Sequence, residues 1–318
     1  MSAISELATV RRTRAKTPEE KRAQRKEASR DNKAGYLFLL PWLIGLVVIT
    51  IGPMLASLYL SFTNYSLIEA PEWAGLDNYA RMLEDPRLHN ALKVTFIYVF
   101  VSTPLQLALA LAVAMLLNEG MKGLAFYRSI FYLPSMLGSS VAIALLWRQI
   151  FGTEGLVNQV LGLFGLNAGT GWISDPKYAL STIILLHVWT FGSPMVIFLA
   201  GLRQIPGMYY EAAAVDGATR RTVFTKITLP LLSPIIFFNL VLQIINAFQA
   251  FTQAFVVSGG TGGPSDSTMF YTVYLYQRGF GQFQMGYAAA MAWLLVIIIA
   301  VFTAINFFAS KYWVFYGD

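Results

Sequence analysis

The sequence predicts an all-α membrane protein with six transmembrane helices and with both termini in the cytoplasm. Of its 318 residues, 56% are hydrophobic and only 13% are charged, whereas soluble domains carry about 25% charged residues. The mean hydropathy is +0.55. Because so few polar residues could not cover a water-facing surface of this size, we expect most of the apolar residues to face lipid.

Six stretches are apolar enough to cross a bilayer, for which roughly 20 apolar residues suffice. They cover about 34–62, 94–117, 129–147, 178–202, 229–257 and 286–310. The first is too long for the apolar region of a signal peptide, so we expect it to be a retained helix. Prolines inside the spans, including Pro134 and Pro194, predict bent helices, because neighbouring helices can satisfy the freed backbone groups.

The distribution of positive charge predicts the orientation. Ten of the 23 Lys and Arg residues lie within the first 33 residues. A cytoplasmic N-terminus places 17 of the 23 inside and 6 outside, which is the positive-inside pattern. We therefore expect a basic cytoplasmic tail over 1–33, a membrane domain over 34–310 and a cytoplasmic tail over 311–318. Positive charge concentrated beside a span favours membrane lipid over nucleic acid as a partner.

Within the tail, Thr17-Pro18-Glu19-Glu20 has the pattern of a helix start, with a capping threonine before a proline and a glutamate three residues on,. It predicts a short helix over about 18–30. A role in setting topology is favoured over a role in binding anionic lipid.

Several classes of chemistry are excluded. The chain has no cysteine and two histidines, His89 and His187, so thiolate ligands and disulfides are absent and no metal site is predicted. No grouping of His, Asp and Glu suggests a catalytic site, and the chain is not expected to be an enzyme. The spans carry no Asp, Glu, Lys or Arg near their centres, which weighs against ion-coupled transport. His187 is expected to be a hydrogen-bonded structural residue rather than a proton carrier.

The connection at 203–230 has a pattern of its own. Pro206-Gly207 predicts a turn and residues 208–215 a helix. Asp216-Gly217 predicts the end of that helix, because glycine readily takes the left-handed conformation,. A second short helix is expected over about 218–228, after which Leu229-Pro230 begins span five. The result is a helical hairpin on the cytoplasmic side.

The run Glu211-Ala-Ala-x-x-Asp-Gly-Ala-x-x-x-x-x-Phe-x-x-Ile-x-Leu-Pro-x-x-x-Pro234 resembles the EAA motif of ATP-binding-cassette (ABC) importer permeases. Further segments resemble the maltose- and glycerol-phosphate-type carbohydrate permeases within that class. These are Leu39-Leu40-Pro41, Gly52-Pro53, Gly75-Leu-Asp-Asn78-Tyr79, Gly262-Gly263-Pro264 and Gly286-Tyr-Ala-Ala-Ala290.

The resemblance implies a type I ABC importer permease fold in the bacterial inner membrane. It also implies a second homologous permease, two cytoplasmic ATPase subunits that bind ATP and Mg, and an extracytoplasmic solute-binding protein. Residues that would couple to the ATPase are Glu211, Ala212, Ala213, Asp216, Gly217, Phe224, Leu229 and Pro230. This chain itself should need no cofactor, and its sequence has no G-x-x-x-x-G-K-[ST] phosphate loop,. The glycine-rich segment 258–264 lacks the lysine of such a loop, so we expect a flexible external loop there.

Span five carries a row of amide side chains that predicts a substrate path. Its members are Asn239, Gln243, Asn246, Gln249 and Gln253. On a straight helix they share an arc of roughly 120°, and unpaired amides in hydrocarbon would be costly. Either the row contacts substrate, with Trp189 and Trp293 as aromatic candidates, or it packs against a partner permease.

A sugar or oligosaccharide is the substrate that this pattern favours. Alternatives within the same superfamily are a glycerol-phosphate, a polyol or a polyamine. A secondary transporter or channel that works alone is a further alternative, but it leaves the hairpin unexplained.

Overall fold

The computed structural model describes residues 36–120, 123–166 and 171–315. They fall into two compact parts, one that ends at Ser57 and one that begins at Leu58. Most described residues are helical, and the single sheet among them is a hairpin of two short strands. The predicted tail over 1–33 with its short helix, and residues 316–318 of the predicted C-terminal tail, lie outside the described residues.

The elements, in chain order, are α1 (Tyr36–Ser61), β1 (Thr63–Asn64), β2 (Glu72–Trp73), α2 (Asp77–Glu84), α3 (Pro86–Asn118), α4 (Leu124–Leu137), α5 (Val141–Ile150), α6 (Leu156–Leu163), α7 (Pro176–Trp189), α8 (Gly192–Leu202) and α9 (Gly207–Val215). They continue with α10 (Arg220–Val223, a π-helical turn at Phe224–Thr228, then Leu229–Phe248), α11 (Thr252–Val257), a 3-10 turn (Pro264–Asp266), α12 (Tyr271–Tyr276, then a π-helical turn at Gln277–Gly281) and α13 (Met285–Trp313). β1 and β2 pair antiparallel, with Thr63 opposite Trp73.

Four helical segments are long and apolar enough to cross a membrane: α1, α3, the segment Arg220–Val257 and α13. Two further spans are broken: α4 and α5 meet at 96°, and α7 and α8 meet at 41°. Counting each broken pair as one span gives the predicted six. The predicted spans at 129–147 and 178–202 are therefore each two helices, which corrects their description as single stretches and confirms that they bend.

The break between α4 and α5 lies at Gly138, one turn after Pro134. The hydroxyl of Ser140 accepts a hydrogen bond from the N–H of Ile143 at 3.2 Å and so caps the start of α5,. A Cβ on Gly138 would lie 2.1 Å from Cγ2 of Thr190. Only glycine therefore allows the two broken spans to approach each other here.

The break between α7 and α8 follows from Pro194. Proline has no N–H, so the carbonyl of Thr190 loses its helical partner. Side chains of neighbouring helices replace it: Nε2 of Gln106 donates to this carbonyl at 3.1 Å and Oγ of Ser135 at 2.9 Å. The freed carbonyl is thus satisfied inside the protein.

The structure corrects the predicted separate helix over 218–228. Residues 220–228 continue into span five without a break, because the π-helical turn accommodates Pro230. In that turn the N–H of Leu229 donates to the carbonyl of Phe224, five residues back,. The N–H of Gly52 likewise donates to Val47 just before Pro53 in α1. Span five is in turn interrupted at 249–251, between α10 and α11.

The core of residues 58–315 has two apolar clusters. One contains Tyr98, Phe248 and their neighbours, and the other contains Phe198, Leu232 and theirs. On α3, polar side chains separate the two clusters: Ser102, Thr103 and Gln106. A polar layer therefore lies between two apolar ones.

Buried charge fastens one end of these helices. Asp85 caps α3 and accepts hydrogen bonds from Tyr274 at 2.7 Å, Tyr287 at 2.9 Å and Arg278 at 3.1 Å. Burial alone would raise the pKa of Asp85. The hydrogen bonds from Tyr274, Tyr287 and the N–H of Leu88, together with the positive charge of Arg278, outweigh burial, so the pKa of Asp85 is lowered,. Burial, followed by the bond to Asp85, raises the pKa of Tyr274 to about 12.

Residues 63–90 and 258–287 therefore meet at one end. We call it the outer end, because the distribution of positive charge predicts that this end faces the outside. Arg87 pairs with both carboxylate oxygens of Asp266 at 2.8 and 2.9 Å. Asn78 donates to the carbonyls of Ser61 and Thr63, both at 3.0 Å.

The glycine-rich segment 258–264, expected to be a flexible loop, is a closely packed turn at the outer end. The N–H of Gly260 donates to the carbonyl of Phe255 at 2.6 Å, and the carbonyl of Gly260 accepts from Gln277 at 2.6 Å. At Gly262, φ is +89°, and a Cβ would lie 2.2 Å from the side chain of Met269. Glycine is needed here for packing as well as for the turn.

Candidate functional site

A polar cavity of about 210 Å³ lies in the polar layer, between α3 and the broken spans on one side and α10 and α11 on the other. It is lined by Tyr98, Gln106, Ser135, Ser139, His187, Thr190, Ser193, Pro194, Gln243, Asn246, Ala250 and Gln253. Among these described residues none is Asp, Glu, Lys or Arg. The cavity therefore offers amides, hydroxyls and an imidazole without a fixed charge.

Two buried atoms of the lining residues have unused hydrogen-bonding capacity. Oε1 of Gln106 and Nε2 of His187 have no hydrogen-bond partner within 36–120, 123–166 and 171–315. The Nε2 of Gln106 is fully used, since it donates to the carbonyls of His187 at 3.2 Å and Thr190 at 3.1 Å. An unpaired buried polar atom costs about 1–3 kcal/mol, so the polar layer is incompletely satisfied at these two atoms within the described residues. The expectation that His187 is a hydrogen-bonded structural residue is wrong for its Nε2.

The predicted amide row divides into three groups. Gln243, Asn246 and Gln253 line the cavity, and Nε2 of Gln253 also donates to the carbonyl of Gly138 at 3.2 Å. Asn239 is fully buried and donates to Ile235 one turn back, at 3.2 Å, without lining the cavity. Gln249 is exposed on another face, beside an apolar groove formed by α13.

Gln249 departs from the row for a geometric reason. Span five is interrupted directly after α10, and Gln249 is its C-cap rather than a residue within a continuous helix. It also lies at the edge of the arc that a straight helix would give. The prediction of one continuous stripe is therefore wrong at this position.

The two predicted tryptophans do not line the cavity. Trp189 precedes the lining residue Thr190 in the sequence, and its ring centroid is 6.0 Å from that of Trp147. The ring of Trp147 is in turn 5.0 Å from Phe151. Trp293 is half-buried on α13, away from the lining residues.

Sequence reasoning missed the part of the site that comes from α3, α4 and α8. Gln106, Ser135 and Ser193 are isolated polar residues in apolar spans, each one or two positions from a proline. That proximity is a usable signal, because a proline frees a carbonyl that a nearby polar side chain can satisfy.

The hairpin formed by α9 and the start of α10 follows its sequence pattern closely. Gly217 has φ +69°, the N–H of Ala218 donates to Ala213 at 2.9 Å, and that of Gly217 donates to Ala214 at 3.2 Å. These bonds form a Schellman motif, which terminates a helix at a glycine. The predicted end of the first helix at Asp216-Gly217 is confirmed.

The predicted coupling residues differ in exposure. Glu211, Ala212, Asp216 and Gly217 are exposed, whereas Ala213 is 6% exposed and packs inward. The last three are half-buried at the start of α10: Phe224, Leu229 and Pro230.

Two exposed apolar side chains of the hairpin were missed. Met208 is 68% exposed and Val215 is 88% exposed. With Ala212 they occupy positions i, i+4 and i+7, so they share one face of α9. Together with Ala212 they form an exposed apolar face next to Glu211.

Comparison with known proteins decides the family. Residues 80–312 match the family described as the binding-protein-dependent transport system inner membrane component. The chain belongs to this family. It is a multi-pass membrane permease subunit of a transport system and not an ATPase.

The permease resembles relatives along most of its length. It is 53% identical over 288 residues to the probable ABC transporter permease protein YesP of Bacillus subtilis (strain 168), with 90% of this chain and 93% of the relative covered. It is 32% identical over 282 residues to the lactose transport system permease protein LacF of Rhizobium radiobacter, with 87% and 94% covered.

A solved structure shares the fold of the permease. A chain from the crystal structure of a bacterial alginate ABC transporter, in complex with a periplasmic protein that binds an alginate pentasaccharide, superposes with a TM-score of 0.78. The two chains are 22% identical, with 90% of this chain and 96% of the other covered. The ABC importer permease fold implied by the EAA-like motif is therefore confirmed.

Proposed function

We propose that this permease is one of two homologous membrane subunits of an ATP-driven importer for a sugar or oligosaccharide in the bacterial cytoplasmic membrane. An extracytoplasmic binding protein would deliver the substrate at the outer end. Two cytoplasmic subunits would bind ATP and Mg, and this chain would hold no cofactor. The family and the lactose permease among the relatives support this proposal.

The uncharged polar cavity is the observation that carries the substrate class. A sugar needs donors and acceptors for its hydroxyls, which the amides of Gln243, Asn246 and Gln253 and the hydroxyl of Ser139 supply. A glycerol-phosphate would favour a cation in the cavity and a polyamine a carboxylate, and neither lines it among the described residues. A polyol shares this hydroxyl chemistry, and the lactose permease among the relatives favours a sugar over it.

The hairpin would couple ATP hydrolysis to this cavity. The exposed face of α9 with Glu211 would dock in a cleft of the ATPase, and Tyr210 ties α9 to α10 through Thr228 at 3.3 Å. Helix α10 runs from Arg220 to the cavity residues Gln243 and Asn246 without a break. At 1.5 Å per residue, a push at the hairpin reaches the cavity about 35 Å away along one helix.

Substitutions in the amide row test the substrate assignment. In vesicles that contain the assembled transporter, we expect Gln243→Ala and Asn246→Ala to raise the sugar concentration for half-maximal uptake about 2- to 10-fold, the effect of one hydrogen bond. Gln249→Ala is the matched control, because it removes an amide at the end of α10 that lies on another face. Unchanged sugar dependence in both cavity variants, or an equal shift in the control, would contradict the assignment.

A further inference from the structure

A second recess, of about 470 Å³, lies at the outer end. Residues from the end of α5, the loop before α7 and the glycine-rich turn line it. Four of them carry hydroxyl groups: Thr153, Ser174, Ser258 and Thr261. Arg148 adds a guanidinium to this wall. The volume is in the range of small-molecule sites, about 300–1,000 Å³.

Arg148 is a free cation. Its exposed side chain makes no hydrogen bond or ion pair with any residue in 36–120, 123–166 or 171–315. The acidic residues closest in sequence to the lining, Glu154 and Asp175, do not pair with it either. Two other arginines at the outer end, Arg87 and Arg278, are both paired with a carboxylate.

The glycine-rich turn shapes the wall beside this guanidinium. Gly259 has φ +65°, and a Cβ there would lie 3.7 Å from Nη1 of Arg148. The side chain of Arg148 therefore lies along bare backbone. This leaves the guanidinium accessible from the recess.

The recess lies close to the polar cavity. Gln253 lines the cavity, whereas Val257 and Ser258, at the other end of α11, line the recess. Four residues of helix separate the two sites by about 6 Å along the axis. A row of three aromatic rings also connects the two sites. It runs from Trp189, next to the cavity residue Thr190, through Trp147 to Phe151, next to the recess residue Gly152.

We propose that the recess is an outer binding site for a saccharide unit that carries a carboxylate, with Arg148 as the ligand of that carboxylate. This rests on the proposed function, since it assigns the class of sugar received at the outer end; the uncharged cavity would contact the hydroxyls of that sugar, and only the recess would bind its carboxylate. A guanidinium binds a carboxylate through two parallel hydrogen bonds, and the surrounding hydroxyls suit the ring hydroxyls of a sugar. One guanidinium balances one carboxylate, whereas a phosphate ester carries about −1.5 to −2 charges at pH 7.

The test is saturation-transfer NMR on the assembled transporter in lipid nanodiscs, with methyl glucuronide and methyl glucoside as probes. We expect methyl glucuronide to bind, and Arg148→Gln to weaken its binding about tenfold or more, because a charge-assisted bond is lost. Arg148→Lys should retain part of the affinity. Lys177→Gln is the matched control, since it removes an exposed cation near the start of α7 that does not line the recess.

The proposal would be overturned if methyl glucuronide did not bind the unaltered transporter, if it bound the Arg148→Gln variant equally well, or if Lys177→Gln weakened its binding as much as Arg148→Gln does. A loss of binding-protein affinity in Arg148→Gln without any sugar present would instead assign the guanidinium to that protein, and the proposal would be wrong. Failure of the assembled transporter to take up any saccharide would overturn the proposed function but would leave this measurement standing.

Discussion

At the residue scale, polar side chains donate hydrogen bonds to carbonyls that prolines leave without a helical partner. Pro194 frees the carbonyl of Thr190, and Gln106 and Ser135 donate to it. Pro234 frees the carbonyl of Pro230, and the hydroxyl of Ser233 donates to it at 2.6 Å. Each buried carbonyl left unpaired would cost several kcal/mol in hydrocarbon, so these side chains are structural before they are functional.

Glycines allow the broken spans to cross. A Cβ on Gly192 would lie 2.5 Å from the carbonyl oxygen of Phe131 and 2.7 Å from Cα of Tyr132. Backbone atoms cannot move aside cheaply, so we expect Gly192→Ala to lower the free energy of unfolding by about 1–3 kcal/mol. A thermal melt of the purified complex measures this. Gly162→Ala, with nothing within 4 Å of the added Cβ, should melt as the unaltered protein does or slightly higher. Equal melting of the Gly192→Ala variant would show that the crossing is looser than described.

At the element scale, the hairpin leads directly into α10. The Schellman motif ends α9, Thr219 caps the start of α10, and the π-helical turn carries α10 past Pro230 without a break. The sequence pattern predicted the end of α9, because a glycine after an alanine-rich helix readily takes the left-handed conformation that terminates helices. The sequence pattern did not predict that residues 220–228 continue into span five. A proline after Leu229 is typical of a helix start, and the helix passes it only because the turn at 224–228 is π-helical,.

The hairpin can be tested without disturbing the rest of the fold. Nothing lies within 4 Å of a Cβ on Gly217, so Gly217→Asp adds only the strain of a left-handed residue, about 1–2 kcal/mol,. We expect Gly217→Asp and Glu211→Lys to insert normally but to lose uptake and sugar-stimulated ATP hydrolysis. Gly165→Asp is the matched control, since Gly165 also has positive φ and open space but lies outside the hairpin. Full uptake by either hairpin variant would refute the docking role.

At the scale of the whole molecule, hydropathy predicted six spans and the EAA-like pattern indicated the fold, because both depend on local sequence. The cavity could be predicted only in part. The amide periodicity of span five marks a polar face, but it cannot show which helices face it. Gln106 was therefore not predicted, His187 was expected only to be a structural residue, and Gln249 does not line the cavity. Arg148, one of the six Lys and Arg residues placed outside by the charge count, was not singled out, because its lack of a partner among the described residues is visible only in three dimensions.

The central claim is that an ATP-hydrolysing partner moves these spans through the hairpin. The chain has no cysteine, so a Val215→Cys variant carries a single thiol, at a position that is 88% exposed. In an active transporter purified with its partners, we predict that a cross-linker at this thiol joins the chain to the ATPase, with a yield that changes when ATP is added. The same reagent at Gly162→Cys should not reach the ATPase. An active complex in which Val215→Cys never joins the ATPase, or in which Gly162→Cys joins it instead, would contradict the account.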